Sequence, residues 1–189
     1  MKKYILLITI IIIYGAANAS ASSPTEIEIA LFNTFSKANA VCYDPYGQYL
    51  ERGVRMAWED FQRQYPDLKF KVKLKKYDLE DSKLKAIEVV DEAADDDAIA
   101  AIGYICSDAA LLGGRKAQQR GLPLITPTAT HDDLSQIGSY VVMGMFPDSY
   151  QGSVLAEFVY NDLKKKKTLI VSAADCSYCL SCLLYTSPS

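Results

Sequence analysis

The sequence predicts an α/β fold built on a mainly parallel sheet. Three observations carry this reading. Segments with helical periodicity alternate with short apolar segments along the chain, and the unit strand, helix, strand recurs from residue 27 onward. The 189 residues are half hydrophobic and 23% charged. A mean hydropathy of +0.01 leaves enough apolar material for a buried core and too little for a multi-span membrane protein.

The elements follow in order. Residues 27–32 form a strand-like run. Residues 49–64 place Leu50, Val54, Ala57, Trp58 and Phe61 at helical spacing, with Glu51, Arg52, Arg55, Glu59 and Asp60 between them. Phe70, Val72 and Leu74 then alternate with Lys69, Lys71, Lys73 and Lys75. This is a period-2 strand with one buried face, at a sheet edge where solvated lysines discourage mispairing. A helix over 82–94 turns Leu84, Ile87, Val90 and Ala94 inward, and 98–102 is a short buried strand ending at Gly103. A third helix over 109–120 stops at Gly121, and Leu122, Pro123, Leu124 and Ile125 make the next strand. Residues 151–163 read as helix and 168–172 as strand, with lysines 164–167 between them, where cations suit a helix C-terminus.

Charge and composition exclude several functions. Twenty basic residues against 23 acidic ones give a formal charge of -3, with no basic excess to neutralise a phosphate backbone, so nucleic acid is not an expected partner. One histidine, His131, leaves no room for a histidine-rich metal site, and any catalytic triad would depend on it. No Gly-x-Gly-x-x-Gly follows a strand, and neither a P-loop nor a Gly-x-Ser-x-Gly elbow occurs. The expectation is a protein that is not an enzyme and carries no cofactor and no metal.

Both ends read as processing or artefact. Lys2 and Lys3 precede an apolar run over 4–14, followed by Ala17-Asn18-Ala19 and Ala19-Ser20-Ala21. A charged start, a run too short to span a bilayer and an A-x-A end describe a secretory signal peptide over 1–19. Its removal takes two lysines and no acid, moving the charge from -3 to -5 in an exported protein. Residues 182–189, Cys-Leu-Leu-Tyr-Thr-Ser-Pro-Ser, resemble the translation of a sequencing adapter and stand outside fold reasoning.

In parallel sheets the functional loops lie beyond the carboxyl ends of the strands. Three such loops stand out: 33–48, containing Tyr43-Asp44-Pro45-Tyr46-Gly47-Gln48; 103–108, Gly-Tyr-Ile-Cys-Ser-Asp; and 126–131, Thr-Pro-Thr-Ala-Thr-His. They are rich in hydroxyls and in backbone amides at helix starts. Ser107 and Thr130 each stand where a helix N-terminus offers unpaired N–H groups, which can seat a carboxylate without arginine. Taken singly, each reads first as an ordinary N-cap. Together on neighbouring strand ends they favour a binding site.

The order of motifs resembles the type I periplasmic solute-binding proteins, in the branch of leucine/isoleucine/valine-binding and amide-binding proteins. The resemblance runs from residue 27 to about 180. It is carried by Tyr46-Gly47-Gln48 with Gly53 and Ala57, then Asp78 and Lys85-Ala86, then Ile102-Gly103 with Cys106-Ser107. Pro123-Leu124-Ile125-Thr126, Ala129-Thr130 with Leu134, Asp148 with Gln151-Gly152, and Asp175 with Ser177-Tyr178 continue it. No single motif is specific; their order and spacing together are.

The resemblance implies two doubly wound, Rossmann-like lobes with parallel sheets, of which this chain carries an N-terminal lobe over 26–146 and the start of a second over 147–181. It implies a monomeric receptor that closes by a hinge on a small solute, an amino acid or amide, and delivers it to the membrane permease of an ABC transporter. Carried over residue by residue, Ser107 and Thr130, with Thr128 and Ala129 as backbone contributors, would hold the solute's carboxylate and ammonium. Tyr46 would line the pocket from the first loop and Tyr178 from the second lobe. Charge-assisted hydrogen bonds of this kind contribute about 1.5–3 kcal/mol each.

There are departures. No cysteine occurs between Tyr77 and Ile105 to pair with Cys106, which is therefore either a buried free thiol or a partner of Cys42. Cys179 stands where a glycine is usual after the tyrosine. His131, with Asp132 and Asp133, starts a helix rather than binding metal. Cys176, Cys179 and Cys182 form a C-x2-C-x2-C run, but a fourth ligand is missing and the first two fall in a loop after a strand, so an iron-sulfur site is not expected. The acidic run 91–97 reads as a solvated helix end. The same fold also serves as the extracellular sensor of receptors, and that reading stays beside the transport one.

Overall fold

The computed structural model describes residues 25–36, 46–174 and 176–186. Five strands, β1 (Thr25–Asn33), β2 (Phe70–Asp78), β3 (Ala100–Gly103), β4 (Leu124–Thr126) and β5 (Val141–Met143), form one sheet in the order β2-β1-β3-β4-β5. Every neighbouring pair is parallel. The helices are α1 (Tyr46–Gln64), α2 (Lys85–Asp95), α3 (Ser107–Arg120), α4 (Asp148–Glu157) and α5 (Ser177–Thr186). A 3-10 turn at Asp132–Gln136 precedes β5, and a π turn at Phe158–Asp162 continues α4. None of the described helices is long and apolar enough to cross a membrane.

Strand alternation divides the core. Ala30 and Phe32 of β1 face α2 and α3, whose Ala86, Val89, Val90, Ala93, Ala110 and Ala117 are buried with them, while Leu31 points to the opposite face and is equally buried. Small residues on α3 let that helix come close. Tyr104 is fully buried, stacks on Phe32 with ring centroids 5.3 Å apart and donates its hydroxyl to the Ala86 carbonyl at 2.6 Å. It occupies the space a side chain at Gly113 would need: a Cβ there would lie 2.2 Å from the Tyr104 hydroxyl. Gly121 closes α3 in the left-handed conformation, φ +67°, and the Leu122 N–H returns to the Ala117 carbonyl at 3.0 Å, as its place after the last periodic residue predicts.

β2 lies at the sheet edge, and its lysines do more than meet solvent. Lys73 reaches Glu28 at 2.7 Å, Lys75 pairs with Asp96, and Lys76 reaches Glu51 at 3.2 Å. Between them the Tyr77 hydroxyl lies 2.8 Å from both Glu28 Oε1 and Asp96 Oδ2. Burial alone would raise the Glu28 carboxyl, but hydrogen bonds from Lys73 and Tyr77 and the lysine charges outweigh it and hold it below the usual carboxylate range. Burial first, then the two carboxylates, push the Tyr77 phenol well above its ordinary value. The acidic run 91–97 is likewise a seam and not simply a solvated end. Asp91 pairs with Lys116 at 2.7 Å and with Arg120 at 2.8 Å, and Asp95 also pairs with Arg120, tying α2 to α3.

The structure differs from the sequence reading after β4. β5 forms where no strand is anticipated. Residues 168–172 are not a strand: no neighbouring strand pairs with them among the described residues, and Leu169 and Val171 are each 89% exposed. An apolar, β-branched run has strand propensity, but an unpaired strand leaves its N–H and C=O groups without a ladder. Cys179 lies in helix α5 and not in a loop, and it is joined to Cys176 by a disulfide. The signal-peptide segment, Cys42 and Asp175 lie outside the described residues.

Candidate functional site

The strand order 2-1-3-4-5 reverses direction between β1 and β3, and a doubly wound sheet opens a crevice at the carboxyl ends of the strands where that happens. A cleft of about 520 Å³ is found there. Asn33 and Thr34 follow β1, Leu79, Asp81, Ser82 and Lys83 follow β2, and Cys106, Ser107 and Asp108 follow β3. Ala173, Cys176, Ser177, Tyr178 and Cys179 line the other side.

The loops under the cleft are cross-tied. The Phe35 and Glu80 N–H groups both donate to Asp78 Oδ1, at 3.0 and 2.9 Å, and the Asp81 N–H donates to Thr34 Oγ1 at 3.3 Å. Glu80 and Asp81 are both held in the left-handed region, φ +49° and +60°, a conformation that non-glycine residues keep only where their surroundings fix it, and that clusters at ligand sites. Across the cleft mouth Lys83 Nζ lies 3.3 Å from Asp108 Oδ2, and both side chains retain contact with solvent.

The two hydroxyls singled out by sequence do not cap helices. Cys106 holds the N-cap position of α3 and supplies no side-chain cap, so Ser107 is the first helical residue, and Cys106, Ser107, Asp108 and Ala109 of this first turn line the cleft. Ser107 is buried, and its Oγ accepts the Thr130 N–H at 3.3 Å, which joins the loops after β3 and β4. His131 caps the 3-10 turn, its Nδ1 accepting the Asp133 N–H at 3.2 Å, in keeping with the helix-start reading. Thr130 sits one residue earlier, and its carbonyl accepts the Asp148 N–H at 2.9 Å.

Of the six candidate residues, Ser107 and Tyr178 line the cleft, and Thr130 is bonded directly to Ser107 behind it. Ala129 is buried, and Thr128 donates its hydroxyl to the Ile105 carbonyl at 3.0 Å. Neither borders the cleft among the described residues. Tyr46 begins α1 and is half exposed, also off the cleft lining. Tyr178 is half exposed, its hydroxyl accepting a hydrogen bond from Gln151 Nε2 at 3.4 Å. Cys106 is disulfide-bonded and so is not a free thiol; Cys42 lies outside the described residues. The Cys176–Cys179 disulfide consumes two sulfurs of the C-x2-C-x2-C run, and the Cys182 thiol donates to Asp148 Oδ1 at 3.5 Å. No group of three potential metal ligands occurs among the described residues.

Asp81 and Lys83 escaped the sequence reading, whereas Asp108 stood in the singled-out loop 103–108 without being named as a site residue. Their signal was available, because residues 79–83 follow the end of β2 as surely as 103–108 follow β3. The lysine alternation of β2 marks an edge strand and carries no signal about the loop that follows it.

The crevice is thus an α/β switch-point cleft lined by small hydroxyls, the first turn of α3 and the charged side chains of Asp81, Lys83 and Asp108. Residues 50–184 match the receptor family ligand binding region, and the chain belongs to that family. An amino acid binding protein from Pseudomonas aeruginosa is 27% identical over 179 residues, 92% of this chain and 45% of that protein. A leucine-binding protein from Thermotoga maritima superposes with a TM-score of 0.72 at 22% identity, covering 85% of this chain and 44% of its own. An ABC-transporter solute-binding protein from R. palustris in complex with 4-hydroxybenzoate does so with a TM-score of 0.68 at 17% identity, covering 85% of this chain and 42% of its own. The fold is thus that of the periplasmic solute-binding proteins, and the chain spans less than half the length of these relatives.

Proposed function

We propose that this chain carries the ligand-binding first lobe, residues 26–146, and the beginning of a second, residues 147–181, of an exported solute receptor serving an ABC-type importer. The solute is an amino acid or a related small polar molecule. Its carboxylate sits on the uncapped first turn of α3 beside the Ser107 hydroxyl, with Thr130 and its neighbours Thr128 and Ala129 supporting from behind. The second lobe, carrying Tyr178, closes over it, and the closed surface is what the permease reads. No chemistry is done to the solute, and closure brings Tyr46, at the start of α1, to the pocket.

The observation that carries this reading is the α3 N-terminus: three amides without intrahelical partners, no side-chain cap, a buried serine, and an open cleft in front of them. A thermal-shift screen of the full-length protein against the twenty common amino acids tests it. A saturable rise in melting temperature with one or a few of them is expected, and no rise with any refutes the amino-acid reading. Residues 1–19 act as the export signal, which cell fractionation checks. The second reading is the ligand-binding extracellular sensor domain of a receptor with the same fold, which the match to a receptor ligand binding region keeps beside the first; loss of uptake when the gene is deleted separates transport from sensing.

A further inference from the structure

Helix α4 begins after Pro147 at its N-cap, and that residue supplies no side-chain cap. The amides of its first turn are nevertheless satisfied, and the two that find no carbonyl within the helix both bond to the loop after β4. The Asp148 N–H donates to the Thr130 carbonyl at 2.9 Å, and the Ser149 N–H donates to Asp132 Oδ2 at 3.1 Å. The Tyr150 and Gln151 N–H groups turn back to the Pro147 carbonyl, at 3.1 and 3.2 Å. Asp132 takes two further bonds: Oδ1 accepts the Ser149 hydroxyl, and Oδ2 accepts the Ser181 hydroxyl of α5 at 3.3 Å. Two residues earlier, Thr130 gives its N–H to Ser107 Oγ. One loop, 130–132, thus holds the buried serine of the cleft at one end and the start of α4 at the other.

We infer that Asp132 is a positioning residue: it caps α4 from outside that helix and thereby fixes the Thr130 loop, and through it Ser107, relative to the second lobe. The inference rests on the solute-receptor reading above. An N-cap side chain normally accepts the second or third amide of its own helix. Proline has no acceptor to offer, and Asp132 takes over the second amide, with its negative charge set against the positive end of the helix. α4 is the first helix of the proposed second lobe and Thr130 belongs to the first, so this cap ties one lobe to the other where the chain itself passes between them. Asp133, the next residue, carries the same charge but is exposed and takes no part in these bonds. The geometry of the carboxylate, and not the local charge, therefore sets the role.

Hydrogen exchange and calorimetry of the full-length protein test this. Without solute, Asp132→Ala should speed deuterium uptake at the Ser149 amide and at the amides of 128–132 by about fivefold, the size of a lost cap. In the same variant, affinity for the common amino acid that raises the melting temperature most should fall by about fivefold. Asp132→Asn, which keeps one acceptor oxygen, should recover most of both effects, and Asp133→Ala should leave both at wild-type values. Should Asp132→Ala fold poorly, Ser149→Ala, which removes one of the three bonds, is read in its place for a smaller loss in the same direction. Unchanged exchange in a folded Asp132→Ala, a lower melting temperature at unchanged affinity, or an equal loss in Asp133→Ala would overturn the inference. If no amino acid binds wild type, the receptor reading fails separately, and the exchange arm alone decides whether Asp132 holds the loop.

Discussion

The packing of Tyr104 against α3 sets the position of the loop that carries Ser107, and it can be broken at one atom. In Gly113→Ala the new Cβ would lie 2.2 Å from the Tyr104 hydroxyl, 2.3 Å from Cζ and 2.4 Å from Cε2, so the whole ring end must move by more than an ångström. Tyr104 is fully buried, stacked on Phe32 and bonded to the Ala86 carbonyl at 2.6 Å, so it has no open side to move toward. Overpacking costs about 1–3 kcal/mol and stranding the buried hydroxyl about 1–3 more, while the better helix propensity of alanine returns about 1. The net is a loss of about 3 kcal/mol. In a full-length protein of the relatives' size, a little over twice this chain, this appears as a fall of roughly 3–5 °C in the transition followed by circular dichroism. A variant as stable as wild type would mean that α3 does not pack on Tyr104 as described, and the placement of Ser107 would fall with it.

Three further outcomes are expected. Asp91, held low first by its hydrogen bond from Lys116, Asp96, held low first by Lys75, and Glu28, held low against its burial, all have carboxyl groups below the usual range. Groups depressed on folding stabilise the protein above their unfolded values, near pH 4, and the benefit is lost as pH falls through the folded ones. Urea midpoints should therefore be flat from about pH 5 to 8 and fall below about pH 4, with a shallower fall in Asp91→Asn. Tyr77→Phe removes the hydroxyl shared by Glu28 and Asp96 and should lower stability by about 1.5 kcal/mol, read from the same urea curves. Residues 20–189 expressed alone leave Ile125 and its register partner Val142 about half exposed on one sheet face, besides Leu169 and Val171; this polypeptide should bind a hydrophobic dye and melt broadly. A sharp, dye-silent melt would contradict that.

Most of the fold was legible because its signals are local. The alternation of Phe70, Val72 and Leu74 with lysines, the 3.6-residue spacing of Val54, Ala57, Trp58 and Phe61, and the glycine after Arg120 each define an element without reference to the rest of the chain. What was missed depends on partners. Three residues of β5 become a strand only because β4 offers a free edge, and 168–172 fails to become one because no edge is offered. The capping assignment of Ser107 and Thr130 was off by one residue, since the helix boundary is fixed by backbone geometry at Cys106 and His131 and not by residue type. The candidate site was half legible. Hydroxyls on neighbouring strand tips could be read directly, whereas the approach of Lys83 to Asp108 depends on two loops meeting in space.

The central claim is that the crevice at the tips of β1, β2 and β3 seats a solute on α3 through Ser107 with Thr130 behind it. Its most direct measurement is calorimetric affinity of the full-length protein for the amino acid found by screening, in wild type, Ser107→Ala and the Ser107→Ala/Thr130→Ala double variant, each with its melting temperature. The account predicts at least tenfold weaker binding in Ser107→Ala and in the double variant, with both proteins still folded. Affinities equal to wild type in folded variants would place the solute elsewhere.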